Sequence, residues 1–256
     1  MIIILNTITI KKEIKTDNVM IRVFTFFLCM IFIINCSTEN NPTSTDTTDE
    51  PTPTEFDLHD NGVTILCNES NPGDIGVVNG VEYESVNDAV LLNRLNNGAD
   101  LSKVCTSKVT NMGSLFYKRN FNQDIGHWDV SNVTKMPQMF YESTFNQDIS
   151  NWDVSNVTNM GYMFYLAEFN QDIGSWDVSN VTLMPAMFVE SNFNQDIGNW
   201  DVSNVIDMTY MFNTSNFNQD ISNWCVSQIS SEPEGFSTNS PLTEENKPKW
   251  GTCPGG

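Results

Sequence analysis

The sequence predicts an α/β solenoid, in which short coils stack and bury their apolar side chains against one another. The pentapeptide FNQDI recurs every 24 residues, and no insertion or deletion interrupts the five units between Val109 and Gln228. Repeats of fixed length without gaps are typical of stacked units. Five apolar columns share the period and are predicted to point inward; they begin at Val109, Met112, Phe116, Ile125 and Trp128.

Residues 1–35 are predicted to be an export signal. Met20-Ile21-Arg22 precedes the apolar run 23–34, and together they have the short basic and hydrophobic regions of such signals. The run is too short for a membrane-spanning helix, which needs about 20 apolar residues. Because a complete signal begins at Met20, we predict that the true start lies there.

The end of this segment resembles a bacterial lipoprotein signal, in which a cysteine is lipidated and becomes the first residue of the mature chain. Cys36 matches that cysteine, whereas Asn35 departs from the Gly, Ala or Ser that usually precedes it. The resemblance implies a lipid-anchored, surface-exposed protein of the cell envelope. Cleavage nearby with free secretion, or retention as an uncleaved anchor, are the alternatives.

Residues 36–55 are predicted to be a flexible linker rich in Ser, Thr and Pro. Its residues 37–55 contain no large apolar side chain, so they cannot bury enough surface to offset their ordering entropy. The whole chain is acidic, with a formal net charge of −20 and no Lys or Arg between Met136 and Gln228. Nucleic acid is excluded as a partner, because phosphate binding needs basic side chains. Membrane contact is expected only through the lipid anchor.

Residues 56–108 are predicted to be an amino-terminal cap. Asn79-Gly80 is typical of the tight turn of a β-hairpin. A helix is expected from Val86 to Asn97, with a capping box that opens at Ser85 and a stop at Gly98.

Each repeat is predicted to contain one short helix or 3₁₀ turn and one short strand. Within Ser131–Tyr141, the side chains of Met136, Met139 and Phe140 have helical spacing and follow candidate capping residues. The FNQDI segment Phe145–Ile149 is predicted to be a strand in a parallel stack. One strand and one helical turn in each unit is the plan of leucine-rich repeats.

The repeat FNQDISNWDVSNVTNMGYMF, residues 145–164, is similar to that of BspA-like leucine-rich-repeat surface proteins. This bacterial family is also described from mycoplasma-type lipoproteins. The resemblance covers residues 60–256, because the tryptophan, the DVSNVT motif and the Met-Phe pair recur in register. It implies a surface-exposed or secreted solenoid, and members with assigned roles act in adhesion to host proteins or other cells. It implies no particular ligand.

Four cysteines are predicted to join two caps to the stack. Cys105 and Cys225 stand where the other units have aspartate, and five spacings of about 4.8 Å put them roughly 24 Å apart, beyond the ~7 Å limit for a disulfide. Each is therefore expected to pair on its own side, Cys105 with Cys67 and Cys225 with Cys253. Four free thiols in a reducing compartment are the alternative. The irregular tail 229–256 is the predicted carboxy-terminal cap.

No catalytic residue and no metal ligand is predicted. Two aspartate columns begin at Asp124 and Asp129, but acid/base catalysis needs two differently tuned groups at one place, and a column repeats one environment. These aspartates are expected to accept hydrogen bonds from turn amides. Calcium bound between units is the alternative, which would make the chain a calcium-stabilised structural module of the envelope. Asn122 begins a predicted amide ladder, and His59 and His127 are predicted to be solvent-exposed.

The three positions before each FNQDI segment vary between units, so they are predicted to be exposed. They form a stripe along one edge, either solvated loop or a contact surface for a partner. The sequence therefore predicts a monomeric, non-catalytic cell-surface or secreted protein that mediates adhesion or interaction with a protein or glycan. The candidate contact residues are Lys118, Arg119, Glu142, Thr144, Leu166, Glu168, Glu190, Asn192, Thr214 and Asn216.

Overall fold

The computed structural model describes residues 56–255. The predicted export signal, the proposed lipidation site Cys36 and the linker 36–55 lie outside these residues. Within the described part of the chain, no helix is both long enough and apolar enough to cross a bilayer.

Two small sheets open the described chain. Their strands are β1 (Asp57–Leu58), β2 (Ile65–Leu66), β3 (Ile75–Val78), β4 (Val81–Asn87) and β5 (Val104–Lys108). β1 and β2 pair antiparallel, and the second sheet has the order β3-β4-β5. β3 and β4 form an antiparallel hairpin, while β5 lies parallel to β4. The hairpin turns at Asn79-Gly80, where φ is 52° and 79°, which confirms the prediction for this dipeptide.

Helix α1 (Asp88–Asn96) connects β4 to β5. It begins later than predicted, because Ser85 still belongs to β4, where it pairs with β5. The capping residue is Asn87, whose side chain accepts a hydrogen bond from the amide of Val90 at 3.0 Å. Gly98, with φ 69°, follows the last turn in the left-handed conformation that commonly ends helices, as predicted.

Between residues 109 and 228 the chain winds through five coils, and none contains the predicted helical turn. In the second coil, the amides of Met139, Tyr141 and Ser143 each donate to the carbonyl three residues earlier. These are consecutive β-turns, because φ is 57° at Gln138 and 49° at Glu142, values that interrupt a right-handed helix. The short helix or 3₁₀ turn predicted within residues 131–141 is therefore wrong.

Alternate amides of the same segment bind the following coil, which is why no helix forms. The amide of Met136 donates to the carbonyl of Asn159 at 3.0 Å, and that of Phe140 to Met163 at 2.9 Å. Both donors would otherwise be needed within a helix. Single-residue parallel bridges accompany this ladder at one position of each coil: Asn111, Lys135, Asn159, Leu183 and Asp207.

The FNQDI segments are not strands, contrary to the prediction, because the coils are too far apart on their side. Ring centres of Phe145 and Phe169 lie 6.1 Å apart, whereas those of Tyr141 and Tyr165 lie 4.5 Å apart. A β-ladder needs a spacing of about 4.8 Å between backbones. Backbone pairing of successive coils is therefore concentrated on the side of the tyrosines.

Asparagine side chains span the wider gap on the FNQDI side. The backbone amide of Asn170 donates to Oδ1 of Asn146 at 2.9 Å, and the amide of Asn194 donates to Oδ1 of Asn170 at 2.9 Å. The predicted asparagine ladder is therefore confirmed. In this ladder, the side-chain oxygen of asparagine takes the role that a backbone carbonyl has in a β-ladder, and it reaches further from the backbone.

The hydrogen bonds between coils run in two opposite directions. On the tyrosine side, amides such as that of Phe140 donate to the coil that follows. Elsewhere the donation is to the preceding coil, as from the amide of Thr158 to Thr134 and from the indole of Trp176 to the carbonyl of Ile149.

One apolar core runs through all five coils. The five columns predicted to point inward are buried in every coil. Trp152 and Trp176 are only 3% and 4% exposed, and their ring centres lie 6.4 Å apart in nearly parallel planes. Each coil therefore completes its neighbour's core, which a single coil of this length could not form alone.

Disulfides join Cys67 to Cys105 and Cys225 to Cys253, the two pairings predicted from the positions of the cysteines. The first bond lies in a small second core with Phe56, Ile65 and Val78.

The carboxy-terminal tail, predicted to be an irregular cap, begins as a partial sixth coil. The amide of Phe212 donates to the carbonyl of Phe236 at 2.8 Å, 24 residues later, which is one residue more than in the equivalent bonds of the preceding coils, such as that from Phe188 to Met211. Trp250 then packs edge-on against Phe236 at 4.9 Å between ring centres. A short 3₁₀ turn spans Glu244–Asn246 between these two aromatic residues.

Candidate interaction surface

A row of tyrosines marks one edge of the stack. The tyrosine edge, as we define it, consists of Tyr117, Tyr141, Tyr162, Tyr165 and Leu166. Successive rings of Tyr117, Tyr141 and Tyr165 stack at 4.7 and 4.5 Å between centres. Tyr117, Tyr162 and Leu166 are 38%, 40% and 39% exposed. Large side chains grouped at the surface in this way are typical of interaction sites rather than of scattered surface residues.

The stack curves toward the tyrosine edge. Rings at equivalent positions of neighbouring coils are 4.5–4.7 Å apart for the tyrosines, 5.4–5.7 Å for the column that begins at Phe116, and 6.4–6.5 Å for the tryptophans. Such distances measure the local step between coils, so the coils fan out away from the tyrosines. The tyrosine edge therefore lies on the concave side, the side that repeat proteins commonly use for binding.

The predicted contact residues fall mainly into two columns beside this edge. The first adjoins the tyrosines, and its members all have φ between 49° and 55°: Lys118, Glu142, Leu166, Glu190 and Thr214. The second follows two residues later and is exposed or half-exposed: Thr144, Glu168, Asn192 and Asn216. In the second column, side chains of successive coils bind each other, as Asn216 does to Asn192 at 3.1 Å.

The position between these columns is buried in four of the five coils, although the stripe was predicted to be exposed throughout. Its members there are Ser143, Ala167, Ser191 and Ser215, and the hydroxyl of Ser191 donates to the carbonyl of Phe188 at 2.9 Å. In the first coil this position is Arg119, which stays partly exposed and donates to Asn96 of α1 at 2.7 Å. Arg119 therefore ties the first coil to the cap.

Lys118 supplies the positive charge of the tyrosine edge. Its Nζ lies 3.0 Å from Oε1 of Glu142 and 5.5 and 5.6 Å from the ring centres of Tyr117 and Tyr141. The hydrogen bond with Glu142 raises the pKa of Lys118, and burial raises the pKa of Tyr141. The ammonium is therefore charged and the phenol neutral at physiological pH. The surface offers hydroxyl donors, aromatic carbon and one cation beside carboxylates.

The aspartate columns serve the turns, as predicted. Oδ1 of Asp148 accepts from the amide of Ser150 at 2.9 Å, and Oδ1 of Asp177 from that of Ser179 at 3.0 Å. The hydrogen bonds from Ser179 lower the pKa of Asp177. Across residues 56–255, no three or more His, Cys, Asp or Glu side chains are grouped so that they could hold a metal ion.

The two histidines differ in their surroundings. His59 is exposed, as predicted. His127 is not, because its ring is half-buried between the cap and the first coil, where Nε2 lies 3.1 Å from the carbonyl of Val104 and the ring centre 5.5 Å from that of Tyr83. Burial lowers the pKa of His127, so the neutral imidazole donates to this carbonyl.

Sequence reasoning missed the tyrosines. Tyr117, Tyr141 and Tyr165 share the 24-residue period, but Val189 and Asn213 continue their column. The column therefore did not stand out beside the invariant tryptophans and phenylalanines. The usable signal was the run of three aromatic residues at an otherwise variable position.

A family model described as Mycoplasma protein of unknown function, DUF285, matches the chain at residues 85–191 and again at 166–250. The two matches overlap and together cover more than half of the chain. Neither a curated protein nor a solved structure matches it.

Proposed function

The chain belongs to the family described as Mycoplasma protein of unknown function, DUF285, and from this premise we propose that it is a non-catalytic surface protein that binds a protein or glycan on its tyrosine edge. The observation that carries the proposal is the group of exposed Tyr117, Tyr162 and Leu166 on the concave side of the coils. Tyrosine is enriched at binding surfaces because it combines a large apolar ring with a hydroxyl and few rotatable bonds.

The charge distribution supports a neutral or basic partner. Glu142, Glu168 and Glu190 lie in the two columns beside the tyrosine edge, and no Lys or Arg occurs between residues 136 and 228. An acidic partner would meet like charges on these coils, which costs several kcal/mol at close contact. Uncharged glycans and proteins with exposed basic side chains fit the surface better.

We extend the proposal to identity and location. The chain would be a BspA-like leucine-rich-repeat protein whose coils form a solenoid of the cell envelope, held by a lipid on Cys36 and otherwise secreted. The tryptophan, the DVSNVT motif and the Met-Phe pair, which recur in register, support that identity. Mass spectrometry of the membrane fraction tests the anchor, because an unmodified amino terminus at Cys36 would remove it.

The binding proposal is tested with the purified full-length chain on arrays of glycans and of extracellular proteins. A hit is then measured with the variant Tyr162→Ser/Leu166→Ser, which removes two exposed apolar side chains of the edge. We expect at least a tenfold weaker Kd, because the loss of two such contacts removes more than 1.4 kcal/mol.

The matched control is Ile206→Ser, which removes a 62% exposed apolar side chain outside the tyrosine edge. Its affinity should equal that of the wild type, and thermal unfolding should show that all proteins are folded. The proposal fails if no glycan or protein binds, or if the edge variant and the control bind equally well.

A further inference from the structure

The strand β3 has a free edge. It is the outer strand of the sheet β3-β4-β5, and within this sheet it pairs with β4 alone. Because a two-residue turn joins β3 to β4, the flanking Val78 and Val81 form a hydrogen-bonded pair, and such pairs alternate with non-hydrogen-bonded ones along the hairpin. Ile75 and Val77 belong to the second kind. Their N–H and C=O groups therefore point away from β4, and none of the described residues binds them.

The same two residues carry exposed apolar side chains. Ile75 and Val77 are 50% and 57% exposed. Their neighbour Gly76 lies against the ring of Phe56 on the opposite, buried face. Proteins usually protect a free edge with lysine, proline or a β-bulge. β3 has none of these, and the irregularity of its sheet lies between β4 and β5. The edge is therefore open to an added strand.

The exposed face beside this edge carries an unpaired negative charge. Glu82 is exposed and lies directly opposite Val77 in the β3–β4 pair, so both side chains are on one face. Glu84, two residues further along β4, already binds Arg94 at 2.6 Å. In contrast, Glu82 forms no ion pair with any described Lys or Arg. Lys103 borders the same groove, but it precedes β5, on the far side of β4 from β3.

We propose that an extended segment of a basic protein adds to β3 as a further strand. The outward N–H and C=O groups of Ile75 and Val77 favour polypeptide over glycan or lipid, because an extended chain offers donors and acceptors in matching alternation. A lysine or arginine opposite Val77 lays its aliphatic stem over the valine and directs its charge toward Glu82, across two strand spacings of about 4.8 Å each. The surface belongs to the amino-terminal cap and does not depend on the tyrosine edge.

The test is fluorescence anisotropy of a labelled peptide in which lysine and threonine alternate, titrated with the purified full-length chain. The matched probe is the same peptide methylated at the backbone nitrogens of its lysines. Methylation keeps the charge but removes the N–H groups that face β3. The unmethylated peptide should bind at least about tenfold more tightly, because the methylated one lacks two backbone hydrogen bonds. Equal binding of the two probes would reduce the interaction to attraction by an acidic chain and overturn the proposal.

Substitutions then locate the bound peptide. Glu82→Gln should weaken binding of the unmethylated peptide about twofold to fivefold, as expected for one exposed ion pair. The matched control Glu245→Gln, at an exposed glutamate of the carboxy-terminal cap, should leave it unchanged. The variant Tyr162→Ser/Leu166→Ser should bind the peptide as the wild type does. This arm separates a failure at β3 from a failure at the tyrosine edge. Equal loss in Glu82→Gln and Glu245→Gln contradicts the assignment.

Amide hydrogen exchange of the wild type, followed by NMR, needs no variant to fold. Bound peptide should slow exchange at Ile75 and Val77, since their N–H groups become hydrogen-bonded. Unchanged exchange at these two amides overturns the proposal. Val77→Pro removes one of them at a position where proline is tolerated, and it should weaken binding about threefold to tenfold. Sedimentation that shows a dimer separated by Val77→Pro would assign β3 to a second copy of the chain instead and also overturn the proposal.

Discussion

Two positions in every coil hold residues other than glycine in the left-handed backbone region. One column comprises Ser114, Gln138, Tyr162, Ala186 and Tyr210, and the other Lys118, Glu142, Leu166, Glu190 and Thr214. This conformation costs an L-residue about 1 kcal/mol or more. It persists because the amides there donate to the following coil, as that of Thr214 does to Thr238 at 2.7 Å. The second column borders the tyrosine edge, so the strain is located beside the proposed binding surface.

Thr214 is the most strained of these residues, because its side chain branches at Cβ. We expect Thr214→Gly to raise the free energy of unfolding by about 1 kcal/mol, measured by urea denaturation. Thr134→Gly, at an exposed position outside the left-handed region, is the control and should lower stability by a few tenths of a kcal/mol to about 1 kcal/mol. Equal destabilisation by both substitutions would contradict the assignment of strain.

The turn at the start of the tyrosine-side ladder comes in two forms. They differ in how they deal with the backbone amide two residues after the bridge residue of each coil. In the first, third and fifth coils an Asx side chain accepts the amide two residues later, at 2.9 Å in each case. In the second and fourth coils that later residue is proline, which has no amide to satisfy. The pairs are Asn111 with Gly113, Asn159 with Gly161 and Asp207 with Thr209, against Lys135 with Pro137 and Leu183 with Pro185.

The two positions should therefore be energetically coupled. Pro137→Ala creates a backbone amide with no acceptor, because the side chain of Lys135 cannot accept a hydrogen bond. Lys135→Asn in the same chain supplies the Asx side-chain oxygen as acceptor. A double-mutant cycle of these substitutions should show a favourable coupling of about 1 kcal/mol in urea unfolding. The cycle removes the separate effect of losing the proline ring. If the effects of the two substitutions were additive, the residues at positions 135 and 137 would not be energetically coupled.

At the scale of the single coil, the repeat period and the inward-pointing columns could be predicted, but the backbone conformation could not. Met136, Met139 and Phe140 have spacing that a helix and a series of β-turns share, and only the positive φ of Gln138 distinguishes the two. The prediction that the FNQDI segments are strands was wrong for a different reason, because the side of the coil that carries the β-ladder is not encoded within one repeat. It depends on the unequal spacing of coils on their two sides, which is a property of the stack and not of any segment.

At the scale of the whole molecule, the two caps close a core that would otherwise be open at both ends. The first coil is covered by α1 and the sheets, and the last by the partial sixth coil with Phe236 and Trp250. Each cap also carries one disulfide, across 38 and 28 residues. The cysteine pairing was predictable because aspartate is replaced only at the ends. The concave position of the tyrosine edge was not, because curvature appears only when all coils are assembled.

Each disulfide should stabilise the fold mainly by restricting the unfolded chain. For loops of this length the entropic model gives about 3–4 kcal/mol for each bond. Cys67→Ala/Cys105→Ala should lose about this amount in urea unfolding. In the presence of a reductant, the wild type and a variant lacking both bonds should have similar midpoints. If Cys67→Ala/Cys105→Ala remained as stable as the oxidised wild type, the disulfide would contribute nothing to the stability of the fold.

The opposed directions of hydrogen bonding between coils have an electrostatic consequence. In a long α-helix every peptide dipole points the same way, so partial charges accumulate at the two termini. Here the amides that donate to the following coil, such as that of Phe140, oppose those of the threonine and asparagine columns, which donate to the preceding coil, and much of the sum is lost within each layer. Duplication or deletion of whole layers in evolution would therefore leave the field at the ends of the molecule nearly unchanged.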